Sequence, residues 1–166
     1  MKDTIAICPG SFDPITIGHL DIISRSAKMF SKVIVVVMTN ANKSGGSFTV
    51  EERVEMIKKS VEGIPNVEVD YFGGLLADYA AQKNAKAIIK GLRAVTDFEY
   101  EFQMALINKK LYPEAETVFL TTDLNNMYLS SSVVKQVARF GGDISGLVPT
   151  KLHERVYNRI ERKAED

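Results

Sequence analysis

Five short apolar runs constrain this chain most: Thr4 to Cys8, Val33 to Met38, Val67 to Phe72, Ala87 to Ile89 and Thr117 to Leu120. Most are unbroken rather than alternating, so both faces of the strand must be covered, the condition of a parallel sheet flanked by helices. Helical patterns fill the intervals. Thr49 and Glu52 spell a capping box ahead of Val54, Ile57 and Val61, and further helices are expected over Gly18 to Met29, Leu75 to Lys83, Asp97 to Leu111, Ser131 to Arg139 and Pro149 to Lys163. Alternation of strand and helix through short links predicts an α/β fold. The expectation is a single doubly wound, Rossmann-like domain over residues 1–166, with a parallel sheet of about five strands and helices on both faces.

Composition narrows the function classes. With 45% hydrophobic residues the chain is outside the disordered range, and 166 residues suit one domain of ordinary size. No apolar run approaches the roughly 20 residues of a membrane helix, and the apolar stretch ahead of Pro9 and Gly10 is too short for a signal-peptide core. A cytoplasmic location is expected. The one cysteine, Cys8, excludes an intramolecular disulfide and a multi-cysteine metal site, and its place inside an apolar run suits a small core residue. Lys+Arg and Asp+Glu balance at 21 each, which argues against a nucleic-acid-coating protein but permits a local basic pocket.

Ligands of open α/β sheets bind beyond the carboxyl ends of the strands, so the segments just after each strand carry the candidates. After the first, Pro9-Gly10-Ser11-Phe12-Asp13-Pro14-Ile15-Thr16-Ile17-Gly18-His19 shapes a loop that delivers Gly18 and His19 to a helix N-terminus, where free N–H groups favour anions. After the second comes a small, polar loop, Asn40 to Ser47, with one cation, Lys43. The fourth strand ends in Lys90-Gly91-Leu92-Arg93, two cations that packing does not require there. The fifth leads through Asn125 and Asn126 to Ser130, Ser131 and Ser132 at a helix start; capping needs one hydroxyl, not three. The helix from Asp97 carries apolar residues on more than one stripe, so part of it is expected to face another subunit.

Together these segments resemble the nucleotidylyltransferase superfamily marked by an H/T-x-G-H turn, here Thr16-Ile17-Gly18-His19. The similarity is closer to the bacterial phosphopantetheine adenylyltransferases, carried by Cys8 to His19, Phe48 to Arg53, Lys90 to Glu101 and Leu129 to Ser132. Such enzymes transfer the adenylyl group of ATP to 4′-phosphopantetheine, giving dephospho-coenzyme A and pyrophosphate, with Mg²⁺, as homohexamers. The resemblance implies catalytic roles for His19, Lys43 and Ser11. It implies ATP binding by Ser11, Phe12, His19, Gly91, Leu92, Arg93, Glu101, Asn126, Met127, Tyr128, Leu129, Ser130, Ser131 and Ser132. Ser11, Lys43, Leu76 and Lys90 would meet phosphopantetheine, and coenzyme A is a candidate feedback ligand.

Three positions depart from the family pattern: Cys8 for tyrosine, Ser11 where threonine is frequent, and Lys90 for arginine; Thr16 takes the threonine form of the turn and leaves His19 as its sole imidazole. Lys90 exchanges a bidentate fork for a point charge. Two other readings fit the residues: the same chemistry on another acceptor, such as nicotinamide mononucleotide or glycerol 3-phosphate, and a non-catalytic adenine-nucleotide sensor on the same fold.

Overall fold

The computed structural model describes residues 4–39, 46–93 and 95–165. The expected strands all form: β1 (Ile5–Gly10), β2 (Lys32–Thr39), β3 (Val67–Gly73), β4 (Ala87–Leu92) and β5 (Glu116–Thr121). Between and after them lie α1 (Ile17–Met29), α2 (Val50–Ser60), α3 (Leu76–Gln82), α4 (Val95–Leu111), α5 (Ser131–Arg139) and α6 (His153–Glu165). All strand pairs are parallel, in the order β3-β2-β1-β4-β5.

The unbroken apolar runs are explained by two cores. Ala6, Cys8, Val33, Val35, Val37 and Ile89 point to one face, under α1, α2, α5 and α6, where Ile23, Ile57, Val134 and Val156 cover them. Ile7, Ile34, Val36 and Ile88 point to the other, against Tyr79 and Ala80 of α3. Cys8 is buried at 4% exposure, as expected of a core residue. Burial drives its thiol up to about 12, and the weak contact to the Ser26 hydroxyl at 3.8 Å does not offset that.

Several boundaries differ from the sequence reading: β4 runs past Ile89 to Leu92, so Lys90 and Gly91 lie within the strand, paired with Phe119 and Leu120 of β5, and β3, β5 and α3 shift by one residue at one end or both. β1 continues through Pro9 and Gly10, because its pairing with β4 stops at Ile7 and Ile88; Pro9 faces only Val36 of β2, so its missing N–H interrupts no ladder on the β4 side. α4 starts at Val95 rather than Asp97, and α6 starts at His153, after a single 3-10 turn at Thr150–Leu152. Two basic residues of α6 pair with α2: Arg155 with Glu55 at 3.0 Å and Arg159 with Glu52. Lys151 pairs with Glu62 at 2.6 Å. Among the described residues no helix is long and apolar enough to cross a membrane.

Candidate active site

β1 and β4 are neighbours in the sheet but not in sequence, so the connections leave them in opposite directions and a crevice opens beyond their carboxyl ends. A cleft of about 1420 Å³ lies there. That exceeds the roughly 300–1,000 Å³ of a pocket for one small molecule, which suits two ligands side by side.

The loop after β1 forms the floor. Phe12 takes a left-handed backbone conformation, φ 47°, and its ring is buried at 3% exposure beneath Gly10. A Cβ on Gly10 would stand 2.9 Å from that ring, so no larger residue fits without displacing it. The buried Phe12 ring meets the His19 ring edge-on at 5.1 Å, which makes it a support for the imidazole at the base of the cleft lining. Ser11, by contrast, is exposed on the lining.

Asp13 ties this floor to the rest of the site. One carboxylate oxygen accepts from Ser47 N (3.0 Å) and Lys135 Nζ (3.1 Å), the other from Phe48 N (2.9 Å), with Arg53 Nε 3.4 Å away. Burial alone would raise this carboxyl; the Ser47, Lys135 and Phe48 hydrogen bonds outweigh it and hold the group below the usual carboxylate range. Arg53 also donates to the carbonyls of Phe48 and Ser11.

Thr16 and His19 form a capping box at the start of α1: the Thr16 side chain accepts from His19 N, and Thr16 N donates to His19 Nδ1 at 3.0 Å. Because Nδ1 is an acceptor in that bond, the neutral ring carries its proton on Nε2. Burial and the nearby Arg93 guanidinium lower the imidazole to about 4, so it is neutral at physiological pH. His19 is thus held as an Nε2–H donor on the cleft lining. At the same helix end, Ile17 N donates to Leu147 O and Leu20 N to Thr16 O, leaving Gly18 N–H with no protein acceptor among the described residues. A Cβ on Gly18 would approach nothing closer than 3.6 Å. Packing therefore does not demand glycine there, whereas close approach of a ligand to the N–H would.

A second helix N-terminus reaches the same cleft. Ser130 caps α5 by accepting from Val133 N at 3.1 Å, and Ser131 Oγ donates to Pro14 O at 2.7 Å, anchoring α5 to the floor. Ser132 is exposed on the lining. The three hydroxyls have three situations, a cap, a strut and an open donor. Arg93 Nη1 donates to Leu129 O at 3.0 Å, and Lys90 pairs with Glu101 of α4 at 3.1 Å. Leu75, Leu76, Met104 and Ile107 supply an apolar side to the cleft, which accounts for part of the apolar excess of α4.

Ser11, Phe12, His19, Leu76, Lys90, Gly91, Arg93, Glu101, Asn126, Leu129, Ser130, Ser131 and Ser132 are therefore gathered around one cleft. Leu92, Met127 and Tyr128 are not on its lining. Lys43 lies outside the described residues. Asp13, Thr16, Arg53 and Lys135 had no assigned role in the sequence reading, although Thr16-x-x-His19 has the spacing of a capping box with histidine in place of glutamate.

Comparison with known proteins agrees with this fold. The cytidylyltransferase-like family model matches residues 7–137. A phosphopantetheine adenylyltransferase of Dictyoglomus turgidum is 56% identical over 158 residues, covering 95% of this chain and 98% of that protein. Enzymes of the same name from Clostridium botulinum (59% over 155 residues, 93% of this chain and 97% of the relative) and Caldanaerobacter subterraneus (56% over 158 residues, 95% and 98%) are similar throughout. With a switch-point cleft, two helix N-termini turned into it and full-length identity at this level, the chain belongs to the phosphopantetheine adenylyltransferase family of nucleotidyltransferases.

Proposed function

We propose that this cleft transfers the adenylyl group of ATP to 4′-phosphopantetheine, yielding dephospho-coenzyme A and pyrophosphate. An acceptor phosphate oxygen forms the new bond to the α-phosphorus as the bond from that phosphorus to the pyrophosphate oxygen breaks. The acceptor is a phosphate monoester, mostly dianionic near neutral pH because its second pKa is about 6, so the reaction requires no general base. Its obstacle is charge: a dianion must approach an anionic triphosphate. Catalysis is then positioning plus neutralisation.

The observation that carries the reading is the capping box holding His19 as a neutral Nε2–H donor beside the uncommitted Gly18 N–H. We assign these two donors to the α-phosphoryl oxygens, where charge builds during transfer. Ser131 and Ser132 at the start of α5, with Arg93, take the rest of the triphosphate, and Ser11 stands between the two substrates. Lys90 and Lys43 take the acceptor phosphate, and the apolar side of the cleft with Leu76 takes the pantetheine arm. Asn126 completes the nucleotide side, and Glu101, paired with Lys90, stands at the border of the nucleotide and acceptor sides.

Mg²⁺ fits this donor set as an ion carried on the ATP phosphates. No group of three or more His, Cys, Asp or Glu side chains forms a metal cage among the described residues, and Mg²⁺ characteristically keeps waters and phosphate ligands. Bound there, it would neutralise the triphosphate. The exposed apolar residues of α4, Phe98, Phe102 and Leu106, support a homo-oligomer, and we retain the homohexameric, cytoplasmic enzyme with coenzyme A as feedback ligand as part of the reading.

Direct in-line attack predicts inversion at the α-phosphorus. Turnover of a single diastereomer of ATP thiosubstituted at that phosphorus should give product of inverted configuration. Retention would mean an adenylyl-enzyme intermediate and would overturn the direct mechanism.

A further inference from the structure

Lys90 and Glu101, both on the cleft lining, form a direct ion pair, Nζ to Oε2 3.1 Å, with side chains 23% and 22% exposed. The pair is unusual in one respect. Glu101 Oε2 is shielded from water and receives no aligned hydrogen bond among the described residues, so the Lys90 ammonium is its compensation at short range. A carboxylate in that position opposes any anion that draws Lys90 away, both by like-charge repulsion and because its own oxygen would be left buried and unpaired.

Resting on the proposed function, we infer that Glu101 sets the charge an acceptor must carry: Lys90 is exchanged between Glu101 and the acceptor phosphate in each turnover. A phosphate monoester dianion carries enough charge to take Lys90 from the carboxylate. Once that phosphate has bonded to the α-phosphorus it retains one negative charge, its second having become the new P–O bond. Lys90 then returns to Glu101, which favours product release. Lysine suits the exchange better than a bidentate arginine, because a single ammonium on a flexible stem leaves one carboxylate oxygen without breaking a fork. Glu101 thereby acts as a specificity-determining residue through its competition for Lys90.

The test is calorimetric binding to ATP-free protein at about pH 8, with 4′-phosphopantetheine and with inorganic phosphate as separate probes. Glu101→Gln removes the competitor's charge at constant shape. A partly exposed ion pair is worth about 1 kcal/mol, so both probes should bind about five-fold tighter to this variant. Dephospho-coenzyme A should also inhibit it more strongly. Glu101→Asp, which draws the carboxylate back by one methylene, should tighten binding by less, and adding Glu101→Gln to a Lys90→Met protein should give no tightening. If phosphopantetheine binds the wild type but Glu101→Gln binds it equally or more weakly, the exchange is wrong while the proposed function stands. If phosphate binding tightens as expected but phosphopantetheine does not bind at all, the exchange stands and the acceptor assignment falls. A Glu101→Gln protein that does not fold leaves Glu101→Asp to decide: unchanged affinity there overturns the exchange.

Discussion

Replacing His19 separates its two jobs. In His19→Ala the cleft loses one oriented donor aimed at developing charge, and loss of one such donor costs about 10²–10³ in kcat, or about 2.7–4 kcal/mol. The same change removes one half of the capping box, worth about 1 kcal/mol, so a chain of this size should melt about 2–4 °C lower and remain folded. His19→Gln restores both in part: glutamine at the third helical position can accept from Thr16 N and still offer an amide N–H to the cleft. It should recover roughly ten-fold of the lost kcat, an order-of-magnitude expectation for a weaker, longer donor. The ring's low value, about 4 against an ordinary 6.5, adds a readout in pH. As pH falls below 6.5 the unfolded chain takes the proton first, so stability is full above 6.5, declines down to about 4 and then levels, by roughly 3 kcal/mol in all. His19→Ala should lack this slope. Turnover should keep an acid limb near about pH 6 in both proteins, because that limb belongs to the acceptor phosphate. Steady-state kinetics with thermal and denaturant unfolding decide the matter. A His19→Ala enzyme within about three-fold of wild-type kcat, or an acid limb that vanishes with the imidazole, would refute the reasoning.

Two other predictions concern the frame of the site. Asp13→Asn leaves Lys135 and Arg53 beside an uncharged amide and presents an N–H₂ to a backbone N–H. It should cost about 3 kcal/mol in denaturant unfolding and depress turnover with it. Because the Asp13 carboxyl sits below its unfolded value, its contribution is present above that value and is lost as pH falls through the folded one; the stability curves of the wild type and of Asp13→Asn should converge at low pH. Cys8, pushed up to about 12 by burial, should resist iodoacetamide in the native enzyme at about pH 8 and alkylate fully in denaturant; rapid native labelling would mean the thiol is reachable.

Most of the fold was legible because the strands announce themselves. Ile34 and Val35 are adjacent and both buried, which only a sheet covered on two faces allows, and the Thr49-x-x-Glu52 box marks the start of α2 where it is found. Pro9 was the misleading residue: proline reads as a strand end, but pairing with β4 has already stopped, so β1 runs on. At the site, most of the cleft-lining residues could be read from motif loops, since parallel strands deliver those loops to one edge. The residues that hold them could not. Asp13 and Lys135 are 122 positions apart, and nothing local in either indicates the other. Ser130, Ser131 and Ser132 look alike in the chain, yet only tertiary contact makes one a cap and the next a strut to Pro14.

The identity of the acceptor decides what this cleft does, and Mg²⁺-dependent pyrophosphate release from ATP measures that directly. With 4′-phosphopantetheine, nicotinamide mononucleotide and glycerol 3-phosphate offered separately, release should occur with phosphopantetheine alone. Release with either of the others in its place, or ATP binding with no release from any of the three, would contradict it.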